Sequence, residues 1–171
     1  MNFVTTRLAL TVILVLGSFS STSHAQAADP MAKQFIGMWR LASRTQRLVD
    51  GTTRQSPLTT AYIIYTDSGH MCYVAMNPTR AKWKSETTPT AEEAISGITG
   101  LGAYCATVEI YSKEGFVIHH TEIDKTPNLI GRAKKRWFTF QGPNRVVLRV
   151  DAPELISPVV EDTLAWDRVQ K

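Results

Sequence analysis

The chain has 171 residues, a natural length for one domain, with 19 basic and 15 acidic residues and a formal net charge of +4. That balance is too small to imply a nucleic-acid partner. The sequence also carries no dinucleotide fingerprint, no phosphate loop and no Gly-x-Ser-x-Gly nucleophile elbow.

The first segment, MNFVTTRLALTVILVLGSFSSTSHAQ, reads as an export leader. Arg7 precedes an apolar run from Leu8 to Phe19, and Ser23-His24-Ala25 supplies a small-x-small cleavage pattern. The run is shorter than the ~20 residues a membrane-crossing helix needs, so cleavage after Ala25 is expected rather than anchoring. No cysteine lies near the cleavage point, which argues against lipoprotein processing. The mature protein is expected to be periplasmic or secreted, with no stable membrane insertion. Residues 26–34 are expected to be flexible and 35–170 to form the folded domain.

After residue 35, short runs rich in Val, Ile, Tyr, Phe, Trp and Thr are separated by turn residues, the pattern of an all-β protein. The first is MWRLASRTQRL, where Trp39, Leu41 and Ser43 alternate with Arg40, Ala42 and Arg44. LTTAYIIYT and HMCYVAM flank Asp67-Ser68-Gly69, a hairpin connection. TAEEAISGITGLG reads as a short helix, with Thr90 as N-cap and Glu93 completing a capping box. AYCATVEIYS, FVIHHTEID, AKKRWFTFQ, RVVLRVD and VEDTLAWDRV complete the series. The reading is eight strands in an up-and-down antiparallel barrel, with one helix inserted between the third and fourth. Closure removes exposed edges, and a barrel of this size has room for one small ligand. An open sandwich is the alternative.

Cys72 and Cys105 are the only cysteines. In an oxidising compartment they are a disulfide candidate, and two buried thiols are the alternative. The cluster Arg132, Lys134, Lys135 and Arg136 reads as the solvated start of a strand, because alternate side chains split between two faces.

FIGMWRLAS at 35–43 resembles the Gly-x-Trp opening of lipocalin and calycin barrels. The resemblance implies that Gly37 and Trp39 sit at a closed end, covered by Arg168 from LAWDRV. More narrowly, YIIYTDSGHM, AYC at 103–105, the histidine pair and the final W-x-R strand resemble the bacterial lipocalin-like domain family over residues 34–170. That family implies an interior cavity and no particular chemistry. Cys72 and Thr121 depart from the Ser or Val common at those positions, so a disulfide would be a feature of this chain.

The stretch VIHHTEID raises the question of chemistry. Neighbouring strand residues face opposite ways, so His119 and His120 cannot meet at one metal ion, and the ligand count for zinc is not reached. His120 and Glu122 share a face on simple alternation, as do His119 and Thr121. An inward histidine beside a carboxylate has the pieces for proton transfer. The favoured reading is binding of a small, largely apolar molecule inside the barrel. Tyr62, Tyr65, Tyr104, His119, His120, Glu122, Asn128, Arg136 and Trp137 are the candidate contacts. The alternatives are a cofactor-free isomerase, cyclase or hydratase using the inward His or Glu122 as proton shuttle, and a filled barrel with no cavity. No metal and no cofactor is implied.

Overall fold

The computed structural model describes residues 30–170; the expected leader lies outside them. The elements are α1 (Pro30–Phe35), β1 (Gly37–Leu48), β2 (Thr53–Gln55), β3 (Thr60–Tyr65), β4 (His70–Met76), α2 (Ala91–Thr99), β5 (Leu101–Tyr111), β6 (Phe116–Asp124), β7 (Ala133–Phe140), β8 (Arg145–Asp151) and β9 (Val159–Arg168). Each strand pairs antiparallel with its neighbour, and β1 pairs with β9 to close the barrel.

The barrel has eight positions although nine strands are assigned. One edge of β1 is shared, its first half pairing with β3 and its last residues, Thr45 to Arg47, with β2. Ser56-Pro57 separates the two pieces, and proline has no N–H to give to the ladder. Counting β2 separately, the helix α2 lies between β4 and β5 rather than between the third and fourth strands. Its start follows the sequence: the Thr90 side chain accepts from the Glu93 backbone N–H, and Glu93 reaches back to the N–H of Thr90.

Residues 30–34 of the segment expected to be flexible belong to α1. Phe35 explains why. It is buried against Tyr65, Phe138 and Phe140, with ring centroids 5.0, 5.0 and 4.9 Å away. Removing such a side chain typically costs about 3–5 kcal/mol. Trp39, fully buried, donates its indole N–H to the Phe35 carbonyl at 2.8 Å. The Arg168 guanidinium lies 4.0 Å from the centre of the Trp39 ring and donates to the carbonyls of Gln34 and Ile36. Gly37 permits this approach: its φ is +129°, and a Cβ there would stand 2.9 Å from Arg168 Nη1. Helix, tryptophan and arginine together plug one end. Below mid-height the interior is filled by Met71, Ala106, Val117 and the aromatic cluster around Phe35.

Two β-bulges change which residues face inward. In β1 the pairing with β9 slips between Leu41 and Ser43, so Arg44 and Gln46 turn inward. Strict alternation from Trp39 places Arg44 with the outward set; an extra residue in one strand reverses the phase beyond it. In β6 the slip falls at Glu122, since Ala106 faces Thr121 while Cys105 faces Ile123. Asp124, opposite Tyr104, is thereby brought inward, and Glu122 is left exposed.

Cys72 and Cys105 face each other across β4 and β5 and form a disulfide, with Cα atoms 4.1 Å apart. The bond lies on the outer face, because their neighbours Met71, Tyr73, Tyr104 and Ala106 face the interior.

Candidate functional site

The upper half of the barrel holds a cavity of about 130 Å³, at the end opposite the plug. Its apolar wall is Ile63 from β3, Leu148 and Val150 from β8, and Leu164 and Trp166 from β9. Leu155, from the 152–158 loop, covers it. The polar wall is Tyr73, Tyr104, His119, Arg44, Asp162, Arg136 and Glu154. The volume is well below the ~300–1,000 Å³ of pockets for drug-sized molecules. It is close to the ~150 Å³ that accepts a benzene ring.

At the cavity floor His119 is fully buried and bridges two tyrosines. Its Nε2 lies 3.1 Å from the Tyr65 hydroxyl and its Nδ1 2.9 Å from the Tyr104 hydroxyl. Burial pushes its pKa well below the usual histidine value, and the nearby cations Arg136 and Lys134 push the same way. A neutral imidazole has one donor and one acceptor, so one tyrosine donates to it and the other accepts. Burial also raises the phenols: Tyr65 well above its ordinary value, Tyr104 upward, and Tyr73 to about 12. All three tyrosines are therefore uncharged hydroxyls near neutral pH.

Charges ring the cavity in pairs. Arg44 Nε donates to both carboxylate oxygens of Asp162, at 3.0 and 3.1 Å, Arg44 Nη2 donates to Oδ2 at 2.5 Å, and Gln46 adds a third donor at 3.3 Å. Burial is the largest single influence and works against the Arg44 charge, but the hydrogen bonds that Arg44 donates to Asp162 and Tyr73, together with the charge interactions with both groups, outweigh it and hold the guanidinium pKa above normal. Lys134 Nζ meets Asp124 at 2.6 Å and lies 3.9 Å from the centre of the Tyr104 ring. Burial lowers the Lys134 pKa, and Asp124 partly offsets this. Arg136 Nη1 donates to Glu154 at 2.8 Å.

The candidate contacts thus separate. Tyr65, Tyr104, His119 and Arg136 face inward, and three of them line the cavity; Tyr65 stands below it through His119. Tyr62, His120, Glu122 and Trp137 lie on the outer face. Tyr62 is exposed, and His120 sits 3.4 Å from Glu109. Trp137 packs edge-on against Phe116 under Lys135. Asn128 is exposed in a short 3-10 turn. The basic cluster is divided as strand geometry requires, but Lys134 and Arg136 are inside and ion-paired rather than solvated. Arg44, Tyr73, Asp162, Glu154 and Trp166 belong to the site and were not among the candidates. Alternation alone would have placed Asp162 and Trp166 on one face with Leu164; the bulge hides Arg44, and nothing local marks a loop glutamate.

A separate hollow of about 310 Å³ lies at the plugged end, between α1, the β3–β4 turn and β5. It shares no lining residue with the upper cavity and brings together no buried charge.

A closed antiparallel barrel, plugged at one end and hollow at the other, is of the size class that can hold one small ligand. The chain belongs to the lipocalin-like domain family, whose family model matches residues 36–169. No curated protein matches the chain. Among solved structures, a redesigned β-barrel covers 81% of this chain and 95% of its own, at 13% identity and a TM-score of 0.41.

Proposed function

We propose that this protein is an exported carrier or receptor that binds one small molecule, about the size of a single ring, in the upper cavity of its barrel. The observation that carries the reading is the composition of that cavity. An apolar wall of Ile63, Leu148, Val150, Leu164 and Trp166 faces a wall of neutral hydroxyls and paired charges. The Trp166 indole N–H has no protein partner among the described residues, and a bound acceptor would satisfy it. Burying ligand carbon against the first wall supplies affinity, and the second fixes orientation.

The proton-shuttle reading has less support. Glu122 is outside the barrel, and both ring nitrogens of His119 are occupied by tyrosine hydroxyls. Export is supported by the leader-like first 25 residues and by the Cys72–Cys105 disulfide, a bond that persists in oxidising compartments.

Native mass spectrometry of protein purified gently from its source tests the binding reading. A reproducible added mass of roughly one to two hundred daltons, lost on denaturation, is expected from the size of the cavity. A bare protein mass that stays bare after incubation with a mixed metabolite extract would overturn it. The same spectrum tests export, since a chain beginning at Gln26 is expected and a chain retaining Met1 refutes cleavage.

A further inference from the structure

We infer that the ligand carries a carboxylate, and that Glu154 occupies the seat of that carboxylate in the unliganded protein. The inference rests on the binding reading above and names the ligand class for the same cavity.

The seat is built on β7. Glu154 Oε1 accepts from the backbone N–H of Lys135 at 2.9 Å, and Oε2 accepts from Arg136 Nη1 at 2.8 Å. One rigid backbone donor and one guanidinium donor therefore hold the two oxygens of a single carboxylate. Arg136 is itself fixed, because Nη1 also donates to the Lys135 carbonyl at 2.7 Å. Such paired, charge-assisted geometry is selective for planar anions.

The occupant is not built in the same way. Glu154 comes from the 152–158 loop rather than a strand, and its side chain remains 30% exposed. The next residue, Leu155, roofs the cavity. One loop therefore supplies both the charge at Arg136 and the apolar lid. A ligand that brings its own carboxylate and ring replaces both contacts at once, and the loop is free to swing out.

The surrounding field points the same way. Two hollows flank the cavity mouth; Arg54 lines both, Arg80 lines one, and Arg44 is shared by both hollows and the cavity. Arg54 donates to Gln46 and Arg80 to the Gly97 carbonyl; among the described residues neither has a carboxylate partner. A mouth with surplus cations draws in anions and raises their encounter rate. The cavity below has room for about one ring. The fitting ligand class is a small cyclic or short-chain monocarboxylic acid, its ring on Leu148, Leu164 and Trp166 and its carboxylate on Arg136.

Tryptophan fluorescence and calorimetric titrations with benzoate, cyclohexanecarboxylate, benzyl alcohol, benzamide and phenyl phosphate test this on the full folded protein. The acids are expected to bind at least ten-fold tighter than the uncharged probes. Arg136→Gln is expected to weaken benzoate at least ten-fold more than it weakens benzyl alcohol, so that the preference for the acid disappears. Glu154→Ala, a change in an exposed loop, is expected to tighten benzoate binding by roughly five- to ten-fold, because the competitor for the seat is gone. Equal or better binding of the neutral probes would overturn the carboxylate assignment and leave the binding reading standing. So would phenyl phosphate outbinding benzoate, or an unchanged benzoate affinity in Glu154→Ala. No saturable binding of any probe by the wild type or by Glu154→Ala would overturn both.

Discussion

Replacing His119 with glutamine should make the protein markedly less sensitive to mild acid. His119 is fully buried, with a pKa held well below the ordinary histidine value by burial and by Arg136 and Lys134. In the unfolded chain the imidazole takes up a proton near pH 6.5, but in the folded barrel it stays neutral. The unfolded state thus binds more protons below that value, and stability falls as pH drops from about 6.5 toward the lower folded pKa. One proton corresponds to about 1.4 kcal/mol per pH unit, so moving from pH 7.5 to 5.0 removes about 2 kcal/mol from this group alone. Glutamine offers a donor and an acceptor to the two tyrosines but does not titrate. Urea unfolding of both proteins at pH 7.5 and 5.0 reads the difference directly. The wild type is expected to lose about 2 kcal/mol more than His119→Gln over that interval. Equal losses would show that His119 is protonated in the folded barrel, and the closed Tyr65–His119–Tyr104 bridge would be wrong.

Asp162→Asn leaves the Arg44 guanidinium inside the barrel without its counter-charge; a loss of about 3–5 kcal/mol is expected in denaturant unfolding, and a loss under 1 kcal/mol would mean that water already reaches the pair. Reducing the Cys72–Cys105 bond, which spans 33 residues of sequence, is expected to cost about 3–4 kcal/mol with unchanged spectra of the folded state. Because that bond lies on the outer face, benzoate affinity at saturating folded protein should not move on reduction; a loss of binding would place the disulfide in contact with the cavity wall.

The strands were legible because their alternation is set by burial, and burial is a property of residue type. Tyr65, Tyr104 and His119 could be picked out as unusual polar or aromatic residues on strands. Their meeting could not, since it depends on the register between β3, β5 and β6 rather than on any one strand. The two bulges account for the largest gap. They bring Arg44 and Asp124 to the inner face, where simple alternation would have placed them outside, and neither is marked by a glycine or proline. Glu154 was illegible for a different reason. A glutamate in a polar loop looks like any solvated residue until the chain folds it back onto β7.

The plug has a practical consequence for handling the protein. Residues 34–36 and Arg168, near the two ends of the described chain, are tied together at the same pole of the barrel. The cavity opens at the other pole, among the loops after β1, β4, β6 and β8. A sensor surface or resin coupled behind Arg168 would therefore hold every molecule upright, with its opening turned to the solution. Crowding such a surface should leave the cavity end clear, because the attachment lies at the opposite pole.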